Sequence, residues 1–337
     1  MERARGVARG ARGLLLQLQH PGWRAWGMGA QRCGKSTLAY EEVVVRGSGT
    51  GTGEMKTALV VHGLMGSGRN WRTLSKRLAS AIVDSTPGAP GWRMVLIDLR
   101  NHGNSASLAH LEPPHTIPAA ARDVADLIVG EGWDSPDAMI AHSLGGKVVL
   151  EYAQKAATGS YGAVKPPKQL WVLDSVPGEV PMENSDGEVE RVLAVLKSLP
   201  KPIPSRRWLA NYFVEKGFSK GLADWLGSNL KRASTTTEEM DWIFNVDGAY
   251  EMFASYRKTD YWSVLEQPPK GMHIEFVRAA KSDRWTPDIV ARMKEAEAKK
   301  PDNVSFHVLE NAGHWLHTDN PSGLIAIMAP ILAKISQ

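Results

Sequence analysis

The sequence predicts an α/β domain: a mostly parallel sheet flanked by helices, with a helical cap inserted late in the sheet. Three observations carry this. Short continuous apolar runs at 58–61, 94–97, 138–141 and 170–173 have the length and composition of strands buried on both faces. Helix-like stretches separate them, an order that sets parallel strands side by side under helices. The alternation then lapses between 177 and 268 before it resumes.

In chain order, residues 43–46 form a first strand, ended by a Gly/Ser/Thr turn at 47–53. The buried strand at 58–61 leads to an amphipathic helix at 70–82, and the strand at 94–97 to a helix at 119–128. The strand at 138–141 runs directly into a helix at 145–156. After the strand at 170–173 comes a helical region rich in Trp, Arg and Glu and punctuated by Pro200, Pro202 and Pro204, which reads as a cap or lid. Strands at 274–277 and 304–309 and helices at 287–299 and 321–335 complete the sheet. The last apolar segment is short and broken by Pro330, so it reads as a packed helix rather than a membrane span. The domains are therefore a leader at 1–37, a core at 38–176, the cap at 177–268, and the rest of the core at 269–337.

The 337 residues carry a formal net charge of +4. Residues 1–37 hold seven basic groups against one acid, so the leader contributes +6 and the remaining 300 residues carry −2. The basicity belongs to the leader and does not point the folded body at nucleic acid. Arg5, Arg9 and Arg12 share one helical face of that leader, while Ala4, Ala8, Ala11, Leu15 and Leu18 share another. An Arg-rich, acid-poor, amphipathic start is the pattern of an organellar targeting segment. Its scarcity of serine favours a mitochondrion, with a chloroplast as the alternative. A single cysteine, Cys33, rules out an intrachain disulfide.

Residues 29–36 match the phosphate-loop pattern G-x-x-x-x-G-K-[ST]. That chemistry needs a buried strand before the loop and a helix after it. The preceding His20-Pro21-Gly22-Trp23 is no strand, and β-like sequence begins again at Tyr40. A nucleotide-binding reading survives only as an alternative.

The chemistry concentrates at Ala141-His142-Ser143-Leu144-Gly145-Gly146. A strand, a sharp turn carrying a central serine and a helix make a nucleophile elbow. Small residues flank the serine because strand and helix nearly touch there; Ala141 stands where glycine is more usual. An oxyanion formed on attack by Ser143 needs two donors. One is the N–H of Leu144. The other is assigned to Leu64 in the loop His62-Gly63-Leu64-Met65-Gly66-Ser67, with Met65 as the fallback and His62 as a residue that orients the loop.

In folds with this elbow the order is Ser, acid, His. His314, preceded by Gly313 in the loop after the last strand, is the candidate base; His317, His142 and His102 are less suited. Two carboxylates compete to orient it. Asp283, after the strand at 274–279, is preferred; Asp174, at the end of the strand at 170–173, is the alternative acid.

With these residues in place, the chain resembles the α/β-hydrolase superfamily from about residue 38 onward. The motifs that carry the likeness are residues 62–67, Asp98-Leu99-Arg100-Asn101-His102-Gly103-Asn104-Ser105, the elbow at 141–147, and Gly313-His314. It looks most like the small acyl-esterase and thioesterase branch, which includes organellar members. The resemblance implies Ser143, Asp283 and His314 as a triad and a helical cap over the pocket. It also keeps Asp174 in view, since that position is sometimes named as the acid. Asp98, Arg100 and His102 read as loop scaffolding. The expected chemistry is cleavage of a small acyl ester or thioester, with no cofactor, no metal and no nucleic-acid partner. A non-catalytic receptor or scaffold on the same fold is the other alternative.

Overall fold

The computed structural model describes residues 37–47, 55–85, 88–181 and 188–336. The leader up to residue 36, with the phosphate-loop-like stretch, lies outside them.

Among the described residues the strands are β1 (Tyr40–Val45), β2 (Lys56–Val61), β3 (Trp92–Ile97), β4 (Ala138–His142), β5 (Gln169–Leu173), β6 (Leu230–Arg232), β7 (Met240–Trp242), β8 (His273–Ala279) and β9 (Val304–Leu309). Seven of them form one sheet in the order β1-β3-β2-β4-β5-β8-β9. Only β1 runs antiparallel, beside β3. The remaining neighbours are parallel, with Val61 opposite Ala141 and Ala141 opposite Val172.

Alternation along a strand sends successive side chains to opposite faces, and both faces here are covered. Leu59, Val61, Met139 and Ala141 belong to one core, which α2 (Ile117–Gly130) and α3 (Leu144–Ala157) cover. Val60, Ile140, Trp171 and Leu173 belong to the other, shared with α1 (Arg72–Asp84) and the C-terminal helix. All five residues of β4 are buried, which explains its unbroken apolar run.

Between β5 and β8 the chain forms the cap: α4 (Glu188–Ser198), α5 (Arg206–Glu215), α6 (Lys220–Ser228), the β6–β7 hairpin, α7 (Val246–Lys258) and α8 (Trp262–Glu266). Val192, Leu196, Leu209, Phe213, Leu226 and Phe244 give it a core of its own. Met252 and Tyr256 on α7, and Leu265 on α8, pack instead against the sheet's core. The remaining helices are α9 (Pro287–Lys299), α10 (Leu316–Asp319) and α11 (Pro321–Leu332). Thr286 caps α9 by accepting the N–H of Ile289, and Pro287 enters its first turn, where a missing N–H costs nothing.

One local feature differs from expectation: the helix after β2 begins at Arg72, because Gly68–Trp71 winds as a tighter 3-10 turn. Pro330 lies inside α11, and the helix stops two residues later. Among the described residues no helix is long and apolar enough to cross a membrane.

Candidate active site

Ser143 joins β4 to α3 with φ 52° and ψ −121°, a conformation strained for a side-chain-bearing residue. Its surroundings enforce this. The Ser143 N–H donates to Leu173 O at 3.0 Å, and the Gly146 N–H to Ser143 O at 2.8 Å. A Cβ on Gly145 would sit 2.5 Å from His62 O, so only glycine fits where helix and strand cross. The methyl of Ala141, fully buried, is accommodated in the core.

His314 lies between β9 and α10. Its Nε2 is 3.1 Å from Ser143 Oγ, and its Nδ1 is 2.7 Å from Asp174 Oδ2. Its backbone carbonyl accepts a hydrogen bond from His142 Nε2 at 2.8 Å. His142, beside Ser143 in sequence, thus turns away from it and anchors the loop that carries His314.

Asp174 ends β5 at φ 44° and is fully buried. Oδ1 accepts the Ala279 N–H at 3.0 Å and the Trp285 indole N–H at 2.9 Å. Burial alone would raise its pKa. The hydrogen bond and charge of His314, with the Ala279 N–H, outweigh burial and hold the carboxyl below its ordinary value. The expectation of Asp283 in this position is therefore corrected. β8 extends to Ala279, so the turn beyond it lays the Ala279 N–H and the Trp285 indole on Asp174. The Asp283 side chain is 66% exposed and faces Arg284 at 3.7 Å. β5 also pairs directly with β4, which places its end nearer Ser143 than the end of β8.

The loop after β2 is held by two buried imidazoles. Leu99 N–H donates to His62 Nε2 at 3.0 Å, leaving His62 Nδ1–H to donate to Gly63 O at 2.7 Å. Met65 N–H donates to His102 Nε2 at 2.9 Å, and His102 Nδ1–H donates to Arg100 O at 2.8 Å. Burial lowers the His62 pKa to about 4 and the His102 pKa to about 3, so both rings are neutral near pH 7. The Met65 N–H is thus occupied, which rules out the fallback choice of Met65 as an oxyanion donor. Leu144 opens α3, where a helix leaves its N–H groups without intrahelical partners. Asp98 receives the Gly68 and Asn104 N–H groups, and Arg100 grips Asp123 through two nitrogens at 2.6 and 2.8 Å.

The family model described as "Alpha/beta hydrolase family" matches residues 58–327. The chain belongs to this family. It is 23% identical to "Esterase YbfF" of Escherichia coli strain K12 over 79% of this chain and 89% of that protein. It is 24% identical to "sn-1-specific diacylglycerol lipase ABHD11" of Mus musculus over 84% and 83% of the two chains. Among solved structures, a "Marine microorganism esterase" superposes with a TM-score of 0.65 at 22% identity, covering 87% of this chain and 98% of that one.

Ser143 and His314 border a cavity of about 360 Å³. Leu64, Met65, Val192, Leu222, Phe253 and Tyr256 give it apolar walls around Ser143 and His314. Of the cap's aromatic residues, Trp225 lines it, whereas Trp242 and Phe244 lie in the cap core and Trp208 packs against that core. His317 borders the cavity but stacks on Trp71, with ring centroids 4.3 Å apart, and burial lowers its pKa to about 4. Two positioning contacts had no signature in the sequence, Trp285 on Asp174 and His142 on the His314 loop, whereas His102 holds the loop at Met65 as its reading as loop scaffolding expects.

Proposed function

We propose that this chain is a serine hydrolase that cleaves carboxylic esters or thioesters of acyl compounds through an acyl-enzyme on Ser143. One observation carries the reading: Asp174, His314 and Ser143 form a continuous series of hydrogen bonds at the edge of an apolar cavity. In this mechanism His314 removes the Ser143 proton as Oγ attacks the acyl carbon. Asp174 fixes the tautomer and stabilises the imidazolium. The N–H groups of Leu144 and Leu64 receive the oxyanion. His314 then protonates the leaving alcohol or thiol, and an activated water releases the acid. The chemistry calls for no cofactor.

The relatives named as an esterase and a diacylglycerol lipase support ester substrates. The apolar cavity walls suit an acyl chain. The basic leader suits delivery to a mitochondrion, with a chloroplast as the alternative. Fusing residues 1–37 to a fluorescent protein tests that delivery.

Hydrolysis of p-nitrophenyl esters and acyl-CoA thioesters, graded from acetyl to palmitoyl, tests the activity. The expected result is turnover that falls by about 10³-fold or more in Ser143→Ala. Wild-type rates in that variant, or no turnover of any ester or thioester by the native chain, contradict the proposal.

A further inference from the structure

The two crossings between cap and core run side by side. On the way out, Val180 N–H donates to Arg257 O at 2.9 Å; on the way back, Arg257 Nε donates to Val180 O at 3.0 Å and Tyr261 N–H to Pro177 O at 2.9 Å. Lys147, four residues beyond Ser143 on α3, reaches both crossings and has no exposed surface. Its Nζ donates to the carbonyls of Gly178 at 2.7 Å, Tyr256 at 2.6 Å and Thr259 at 2.8 Å. One acceptor belongs to the outgoing crossing and two to the returning one. The same nitrogen lies 4.3 Å from the centroid of the Tyr256 ring.

An ammonium has three N–H donors, and three carbonyls engage all of them. Among the described residues no carboxylate lies within ion-pair distance of Lys147. Burial lowers its pKa to about 7, opposed by the more distant charges of Asp260 and Glu179. A buried cation without a contacting counter-charge is expensive. An apolar side chain would fill the space without that cost, so packing alone does not account for a lysine here.

We infer that Lys147 is a positioning residue that clamps both cap crossings to the nucleophile helix and so holds the cap wall of the cavity over Ser143. That wall comprises Val192, Leu222, Trp225, Phe253 and Tyr256. Tyr256 contributes both a clamped carbonyl and a ring in the wall. For its kinetic consequence the inference rests on the acyl-hydrolase reading; the clamp itself rests on geometry. A short acyl group occupies the space next to Ser143 and draws little on the cap wall, whereas a long one lies along it.

Lys147→Met keeps the length of the side chain and removes its donors. Hydrogen exchange on the full chain is expected to show at least ten-fold lower amide protection at 177–181 and 256–261, with β4 retaining its protection. The KM for a long-chain p-nitrophenyl ester, relative to that for the acetyl ester, is expected to rise about ten-fold, with a smaller change in kcat. Unchanged protection at the two crossings, or a KM change independent of chain length, overturns the clamp. Gly178→Ala provides the second variant. Its Cβ would stand 2.5 Å from Trp262 Nε1, and because that indole is buried in the sheet's core the outgoing crossing gives way at Gly178 while Lys147 is unaltered. If Lys147→Met yields no folded protein, the same two effects are expected of Gly178→Ala, and wild-type values there overturn the proposal. Exchange does not depend on ester turnover. A chain that hydrolyses no ester therefore defeats the proposed function and leaves the clamp to be judged on protection.

Discussion

His314 Nδ1 meets Asp174 Oδ2 across 2.7 Å, although 140 residues and the whole cap separate them in the chain. The pairing follows from sheet order. β5 lies between β4 and β8, so its end comes up beside the nucleophile turn, and the turn after β8 folds over it.

Asp174→Asn is expected to lower kcat for an acyl ester by about 10⁴-fold, because an amide cannot hold the reactive imidazole tautomer. Asp283→Asn, altering a mostly exposed group, is expected to stay within about two-fold. Steady-state kinetics on both variants checks this; the reverse ranking would return the acid to Asp283.

Trp285→Phe removes the indole N–H from Asp174 Oδ1 while keeping an aromatic ring. The loss of one donor to a charged acceptor corresponds to about 1.5–3 kcal/mol. The expected result is a fall of about ten-fold or more in kcat with KM nearly constant. A variant that lost thermal stability but kept its kcat would reduce Trp285 to packing.

His102→Phe frees the Met65 N–H and loosens the loop that presents Leu64. A displaced oxyanion donor costs about 10²-fold in kcat. Kinetics on a short ester, where the cap matters least, gives the cleanest reading. Undiminished kcat there would remove Leu64 from the oxyanion site.

The buried imidazoles set a direction for pH dependence. Burial lowers His62 to about 4 and His102 to about 3, from 6.5, and lowers His142 well below its ordinary value. The unfolded chain therefore takes up these protons first as pH falls. Stability is full above about pH 6.5 and declines below it, by about 1.4 kcal/mol per pH unit per histidine, down to each folded value. Melting temperatures measured from pH 7.5 to pH 4.5 should fall throughout the lower part of that range. A flat profile would mean that these rings are not buried neutral.

Much of this arrangement was legible before any coordinates. The apolar run at 138–141 is fully buried in β4, and the small residues after it mark the crossing that forces Gly145. His314 followed from its loop and from Gly313. The acid did not. Asp174 and Asp283 both follow a strand, and the choice turns on the order of the strands in the sheet and on where Trp285 points, neither of which local pattern encodes. One physical cue did favour Asp174: a carboxylate set directly after the apolar residues of β5 has little access to water and requires dedicated donors. The β6–β7 hairpin was missed because strands of three residues carry no alternation to read.

Covalent labelling tests whether Ser143 is an activated nucleophile. The full-length chain is treated with a fluorophosphonate probe and digested, and the labelled peptide is located by mass spectrometry. A single adduct on Ser143 is expected, lost in Ser143→Ala and formed at least about 10²-fold more slowly in Asp174→Asn. No adduct on the native chain, or an adduct that persists in Ser143→Ala, would contradict it.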